Sequence, residues 1–140
     1  MGDSKKFKDF KQILVDENET KYGKEIREKY GDTTIDASNA KIKGMNEEQW
    51  YKAESLRTEL ETLLKSAYEQ GDPASDTAQK VCDLHGQWLC MFWEDGVYSK
   101  EAHKGIADMY TADERFAAYY DKIADGCAVF LRDAIHIYCK

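Results

Sequence analysis

Proline is almost missing from this chain, with one in 140 residues, so the usual interruption of long helices is missing too. Long apolar runs are missing as well: no stretch approaches the roughly 20 apolar residues that span a bilayer, which excludes a membrane-spanning helix. Behind Met1, Gly2, Asp3, Ser4, Lys5 and Lys6 there is no apolar signal region, and Lys6 stands where a myristoylation signal wants Ser or Thr. The expected location is cytoplasmic. The motifs of familiar chemistry are lacking: no Gly-x-Ser-x-Gly elbow, no His-Glu-x-x-His, no glycine-rich phosphate loop and no EF-hand loop. The chain is therefore expected to catalyse no reaction and to need no cofactor.

Positive charge is also in short supply. Twenty Lys and Arg face 27 Asp and Glu, giving a net charge of -7, so a phosphate backbone is repelled rather than collected. No direct contact with nucleic acid and none with a membrane is expected. Cys82, Cys90, Cys127 and Cys139 include no Cys-x-x-Cys pair. They fall on apolar helical stretches and are read as buried, reduced thiols acting as small hydrophobes, with no metal site.

What remains is rich in Lys, Glu, Ala and Leu, which lose little rotamer freedom on a helix. At 42% hydrophobic residues a chain of this size builds one core, so residues 1–140 form one all-α domain. From Lys5 to Tyr30 the apolar residues Phe7, Phe10, Leu14, Tyr22, Ile26 and Tyr30 recur at helical spacing but thinly. Few anchors offset the ordering entropy, so residues 1–45 are expected to be mobile N-terminal helices and 46–140 the core. The charge run from Asp16 to Lys29 alternates in sign and reads as a solvated face.

Gly23 is a possible break and Gly31-Asp32 an end. A short helix over Ile35 to Lys43 closes at Gly44, and Asn46 with Gln49 makes a capping box. The next helix carries Trp50, Ala53, Leu56, Leu60, Leu64 and Ala67 and stops at Gly71. Asp72-Pro73 is read as the start of a fourth helix, whose end, Trp88 to Trp93, is apolar all round and must be buried or line a cavity. After a loop through Glu94, Asp95 and Gly96, Ser99 caps a fifth helix. Thr111 and Glu114 suggest a second capping box, and Gly126 a break in the last helical region.

Three histidines, His85, His103 and His136, read first as structural hydrogen-bonding residues, although one in an apolar pocket is all that axial haem ligation requires. The aromatics between residues 84 and 120 either fill the core or line a pocket between helices.

The residues His85 to Trp93, Tyr98-Ser-Lys-Glu-Ala-His103, Ala107 to Asp121 and Gly126 to Ile135, with Tyr22 to Asp32 and Gly71 to Ser75 in the right order, resemble the TipAS antibiotic-recognition domain. The resemblance implies a globin-like fold whose cleft takes large hydrophobic antibiotics such as thiopeptides. It also implies N-terminal helices that close over the ligand, and an effector domain that either stands alone or is fused behind a MerR-type DNA-binding dimer. In the thiopeptide-binding member a Cys two residues after the motif His traps the ligand covalently. Here Gly105 follows His103 and Lys104; a glycine cannot attack a dehydroalanine, so binding is expected to be reversible.

The expected ligand site has the Trp88 and His103 helices as walls, with Leu84, Trp88, Phe92, Tyr98, Gly105, Ile106 and Met109 facing the cleft. His103 is the polar handle, and Tyr110, Phe116 and Tyr120 stand in second rank. Two other readings stay open at this point: a haem or tetrapyrrole carrier, and a structural interaction domain whose aromatics are all core.

Overall fold

The computed structural model describes residues 5–93 and 95–140, and in the first helix the side chains of all but residues 25, 26, 29 and 30. Ile26 and Tyr30 of the expected stripe, Glu94 of the expected loop and the reading of residues 1–4 lie outside what is described. Seven helices and no strand occur among the described residues: α1 (Lys5–Tyr30), α2 (Asp32–Gly44), α3 (Glu47–Gln70), α4 (Asp76–Phe92), α5 (Lys100–Ala112), α6 (Glu114–Asp121) and α7 (Cys127–Tyr138). The all-α class read from composition is the class of the structure. No helix is long and apolar enough to cross a membrane among the described residues.

Local chemistry sets most boundaries. Asn46 accepts from the Gln49 N–H at 2.8 Å and its own N–H donates to the Gln49 side chain at 3.0 Å, the reciprocal box that opens α3. Gly71, with φ 82°, closes α3 in a left-handed turn that glycine adopts without strain. Ser99 accepts from the Ala102 N–H at 3.0 Å to open α5. Gly126, at φ 90°, separates α6 from α7.

Three boundaries correct the sequence reading. Gly23 does not break α1, which runs through it; the Glu19 side chain folds into the space a Cβ would fill. Asp72-Pro73 does not begin α4. The Asp72 side chain and carbonyl accept from the Ala74 and Ser75 N–H groups at 2.9 and 3.0 Å, closing a turn, and the Ser75 hydroxyl then caps the helix by accepting from Ala78. Thr111 and Glu114 form no capping box. Thr111 donates back to the Asp108 carbonyl at 3.1 Å within α5, and Asp113 is the cap, accepting from the Arg115 N–H at 2.9 Å.

The core is built where α3 packs along α4 and α7 crosses α4, α5 and α6. Leu64, Ala67, Val81, Cys82, Ala107, Leu131 and Ile135 are its centre. Cys82, Cys127 and Cys139 are buried free thiols, but Cys90 is exposed, which corrects the expectation that all four are buried. It sits on the outward side of the last turn of α4, opposite Leu89.

α1 and α2 pack on each other and are tied by polar groups within the charge run. The Arg27 guanidinium bonds Glu19, Asp32 and Asp36, and Asn39 donates to Glu19 at 2.8 Å. α1 meets the core at few points. Phe7 and Phe10 set their edges against Trp50, Val15 is buried, and Tyr22 stacks on Phe116 with centroids 4.8 Å apart under the Arg115 guanidinium. Lys11 is only 3% exposed; its ammonium donates to the Lys43 and Met45 carbonyls at the end of α2.

Candidate functional site

Where α1 leans over the ends of α3, α5 and α6, a cavity of about 350 Å³ remains, lined mostly by apolar atoms. That lies in the range of small-molecule pockets. α1 supplies Leu14, Asn18 and Tyr22; α3 supplies Arg57, Leu60 and Glu61; Trp88 of α4, Tyr110 of α5 and Phe116, Tyr119 and Tyr120 of α6 complete it. The rings interlock at the inner wall, with Tyr110 against Tyr120 at 4.8 Å and against Phe116 at 5.9 Å.

The charges at the rim cancel. Arg57 bonds Glu54 at 2.8 Å and Glu61 at 3.1 Å, and Tyr119 donates to the other Glu61 oxygen at 2.5 Å. The hydrogen bond to Glu54 raises the Arg57 pKa further. Burial lifts the phenols of Tyr119 and, much more, Tyr120, so the hydroxyls facing the cavity carry protons at neutral pH. The result suits an uncharged aromatic ligand. Among the described residues the Trp88 indole N–H is a buried donor without a partner, an uncompensated group worth about 1–3 kcal/mol.

Behind Tyr110 runs a chain of hydrogen bonds through the interior. Its hydroxyl lies 3.0 Å from His85 Nε2, His85 Nδ1 lies 2.8 Å from His103 Nε2, and His103 Nδ1 lies 2.8 Å from the Tyr98 hydroxyl. The two imidazoles are inclined by only 11° with centroids 5.0 Å apart. That separation is close to the hydrogen bond plus the two ring radii, so they meet edge to edge in one plane rather than face to face. Both histidines are fully buried, and burial pushes His85 down to about 3 and His103 down to about 4. Each is a neutral ring with one donor and one acceptor. Gly86 permits the approach: a Cβ there would stand 3.3 Å from the Tyr98 hydroxyl.

Tyr98, at the far end, lines a second and more open cavity of about 380 Å³ with Leu56, Asp83, Gln87, Cys90 and Tyr138 among its walls. Tyr138 donates to Asp83 there at 3.2 Å.

Of the residues expected from the sequence, Trp88, Tyr110, Phe116 and Tyr120 are gathered at the aromatic cavity. Phe92 rests on Trp88 at 5.0 Å without lining it. Tyr98 belongs to the second cavity. Leu84 and His103 are buried, and His103 reaches the aromatic cavity only through His85 and Tyr110. Gly105, Ile106 and Met109 line neither of these two cavities, and a Cβ on Gly105 would meet only open space. Leu14, Asn18, Tyr22, Arg57, Leu60, Glu61 and Tyr119 were not anticipated. The available hint was the i, i+4 pair Arg57 and Glu61, which shares a helix face with Leu60 and Leu64. Among the described residues no three His, Cys, Asp or Glu side chains converge as a metal site.

Comparison with known proteins converges on one family. The profile of the TipAS antibiotic-recognition domain matches residues 22–138. The chain is 29% identical over 126 residues to the HTH-type transcriptional activator TipA of Streptomyces coelicolor, covering 89% of the chain and 49% of that protein, and the same holds for TipA of Streptomyces lividans. It is 23% identical over 127 residues to the HTH-type transcriptional activator mta of Bacillus subtilis, covering 89% of the chain and 48% of that protein. The chain thus spans about half the length of these relatives. No solved structure gives a significant match.

Proposed function

The chain belongs to the TipAS antibiotic-recognition domain family, and from that premise we propose that it binds bulky aromatic or hydrophobic molecules reversibly in the cavity beneath α1. The observation that carries this reading is the origin of the cavity walls. α1 contributes Leu14, Asn18 and Tyr22 to the lining, yet it is fastened by little buried apolar surface, with Val15 its one buried large hydrophobe among the described side chains. A wall held this weakly opens at low free energy. A cavity of about 350 Å³ sits at the small end for drug-sized ligands, so a larger antibiotic enters by displacing α1 and is covered when α1 and α2 order around it. That ordering would consume on the order of 2–5 kcal/mol of the gross interaction energy.

The relatives are named transcriptional activators of the helix-turn-helix type. Fused behind a MerR-type DNA-binding dimer in the cytoplasm, ordering of α1 and α2 would pass ligand occupancy to the dimer; in a stand-alone protein it would sequester the drug. No observation favours the haem reading, since both ring nitrogens of His85 and of His103 are engaged in hydrogen bonds. A tryptophan-fluorescence titration with a thiopeptide, a smaller aromatic antibiotic and hemin, paired with far-UV circular dichroism, tests the reading. Saturable quenching with a gain in helicity is the expected result for the antibiotics. Helicity that is complete without ligand, with no quenching by any of them, would exclude it.

A further inference from the structure

The hydrogen-bond chain behind the aromatic cavity has no role in packing that requires both of its ends to be hydroxyls lining cavities. Tyr110 lines the aromatic cavity and Tyr98 the second one, and between them His85 and His103 are fully buried. A chain of two neutral imidazoles and two phenols can be polarised in either of two directions. In the first, Tyr98 donates to His103 Nδ1, His103 Nε2–H donates to His85 Nδ1, and His85 Nε2–H donates to Tyr110, which leaves the Tyr110 proton to point at a ligand. In the second, every bond is reversed. Tyr110 donates inward to His85 Nε2 and offers its lone pairs to the ligand, while Tyr98 accepts from His103 and turns its own proton toward the second cavity.

We propose that Tyr98, His103, His85 and Tyr110 form a reversible hydrogen-bond relay that lets the aromatic cavity present either a donor or an acceptor at Tyr110, and that registers the choice at Tyr98. This rests on the aromatic cavity being the ligand site. The relay would let one uncharged pocket accept ligands of opposite polarity without leaving a buried group unpaired, which otherwise costs about 1–3 kcal/mol. His85 and His103 are then positioning residues that determine specificity without touching the ligand.

The proton count is conserved. Going from the first polarity to the second, three protons move one link each: Tyr98 oxygen to His103 Nδ1, His103 Nε2 to His85 Nδ1, and His85 Nε2 to Tyr110 oxygen. Tyr98 takes up one proton from solvent water in the second cavity, and Tyr110 releases its original proton to water on the ligand side. Both histidines therefore change tautomer together, from Nε2–H to Nδ1–H.

Nitrogen-15 NMR of histidine-labelled protein reads this directly, because protonated and unprotonated ring nitrogens resonate far apart. The probes are quinoline, which only accepts a hydrogen bond, and indole, whose N–H only donates, two bicyclic rings of similar size. Quinoline is expected to place the protons of both His85 and His103 on Nε2, and indole to place both on Nδ1. In the protein without ligand, Tyr98→Phe is expected to change the tautomer ratio of His85, which Tyr98 does not touch, and Tyr110→Phe that of His103. The relay is overturned if both probes saturate the tryptophan fluorescence while neither tautomer moves, or if each variant disturbs only the adjacent ring; the cavity assignment survives that outcome. Failure of both probes to bind at saturating concentration would instead remove the aromatic cavity as the ligand site, and the recognition role with it.

Discussion

His85 on α4 and His103 on α5 share a hydrogen bond of 2.8 Å between Nδ1 and Nε2, with their rings in nearly one plane and no solvent contact. Two imidazoles joined in this way cannot both be charged, and neither can take a proton without breaking a bond to its neighbour.

That pairing makes stability depend on pH in a defined window. The folded pKa values, about 3 and about 4, lie below the 6.5 of a free ring, so below 6.5 the unfolded chain binds protons that the native state refuses. The stabilisation is complete above 6.5 and declines as the pH falls toward 4. With two rings the slope approaches about 2.7 kcal/mol per pH unit, twice about 1.36. Urea unfolding at pH 7, 6 and 5 should show falling midpoints. The hydrogen-bonded carboxylates of Glu19 and Asp113 lose their contribution only below 4.5 and 3.8, so the interval from 6.5 to 5 isolates the histidines. Equal midpoints across it would mean the rings are not held neutral.

Lys11→Met should loosen α1 selectively. Methionine keeps the apolar stem but removes the ammonium from the Lys43 and Met45 carbonyls. Losing a buried charged hydrogen bond costs about 1.5–3 kcal/mol, equivalent to roughly ten- to a hundredfold faster amide exchange in α1. Hydrogen–deuterium exchange should show that acceleration in residues 5–22 and none in α7. Uniform acceleration would make α1 part of the global unit.

For Trp88→Phe the two effects oppose each other. The smaller ring loses contacts with Phe92 and His85, but the variant also removes the unpartnered indole N–H. Stability is expected to change by less than about 1 kcal/mol, measured by denaturant midpoint, while ligand quenching of fluorescence loses most of its amplitude. A loss of about 3 kcal/mol or more, as for a large-to-small core change, would show that the indole is paired.

One thiol of four should react in the native protein. Cys90 is exposed, whereas burial raises Cys82 to about 12 and Cys127 to about 11 and also lifts Cys139. Reaction with 5,5′-dithiobis(2-nitrobenzoate) is expected to release one equivalent quickly and the rest only on unfolding, and Cys90→Ser should abolish the fast phase.

How much of this was legible beforehand follows from the range of each interaction. Asn46 with Gln49, Ser99, Gly71 and Gly126 act within a turn or two, and their roles could be read directly. Where two local signals overlapped, the wrong one was chosen: Asp113 stands two residues from Thr111 and offers a stronger acceptor, and Asp72 closes a turn that Ser75 then caps. The helical period brought out Trp88, Tyr110, Phe116 and Tyr120 as one aromatic group, and the cavity collects them. Arg57, Glu61 and Asn18 were invisible as partners of that group because nothing in their own segments encodes which helix lies opposite. The bond between His85 and His103, 18 residues apart, depends in the same way on the packing of α4 against α5. Of the two rings, the sequence singled out His103 as a polar handle without showing that it is sealed inside.

The last turn of α4 is finished by a distant segment. Lys41 donates to the Cys90 and Trp93 carbonyls, and Ser38 donates to the Phe92 carbonyl at 2.8 Å, so α2 satisfies acceptors that the end of any helix leaves open. Withdrawal of α2 would hand those carbonyls to water and let the final turn fray. The cooperative unit that opens with the N-terminal helices therefore does not end at Asn46. It includes a piece of chain 49 residues beyond Lys41, and that piece sits one turn beyond Trp88, so loss of order in α2 shortens the helix that carries the cavity's indole.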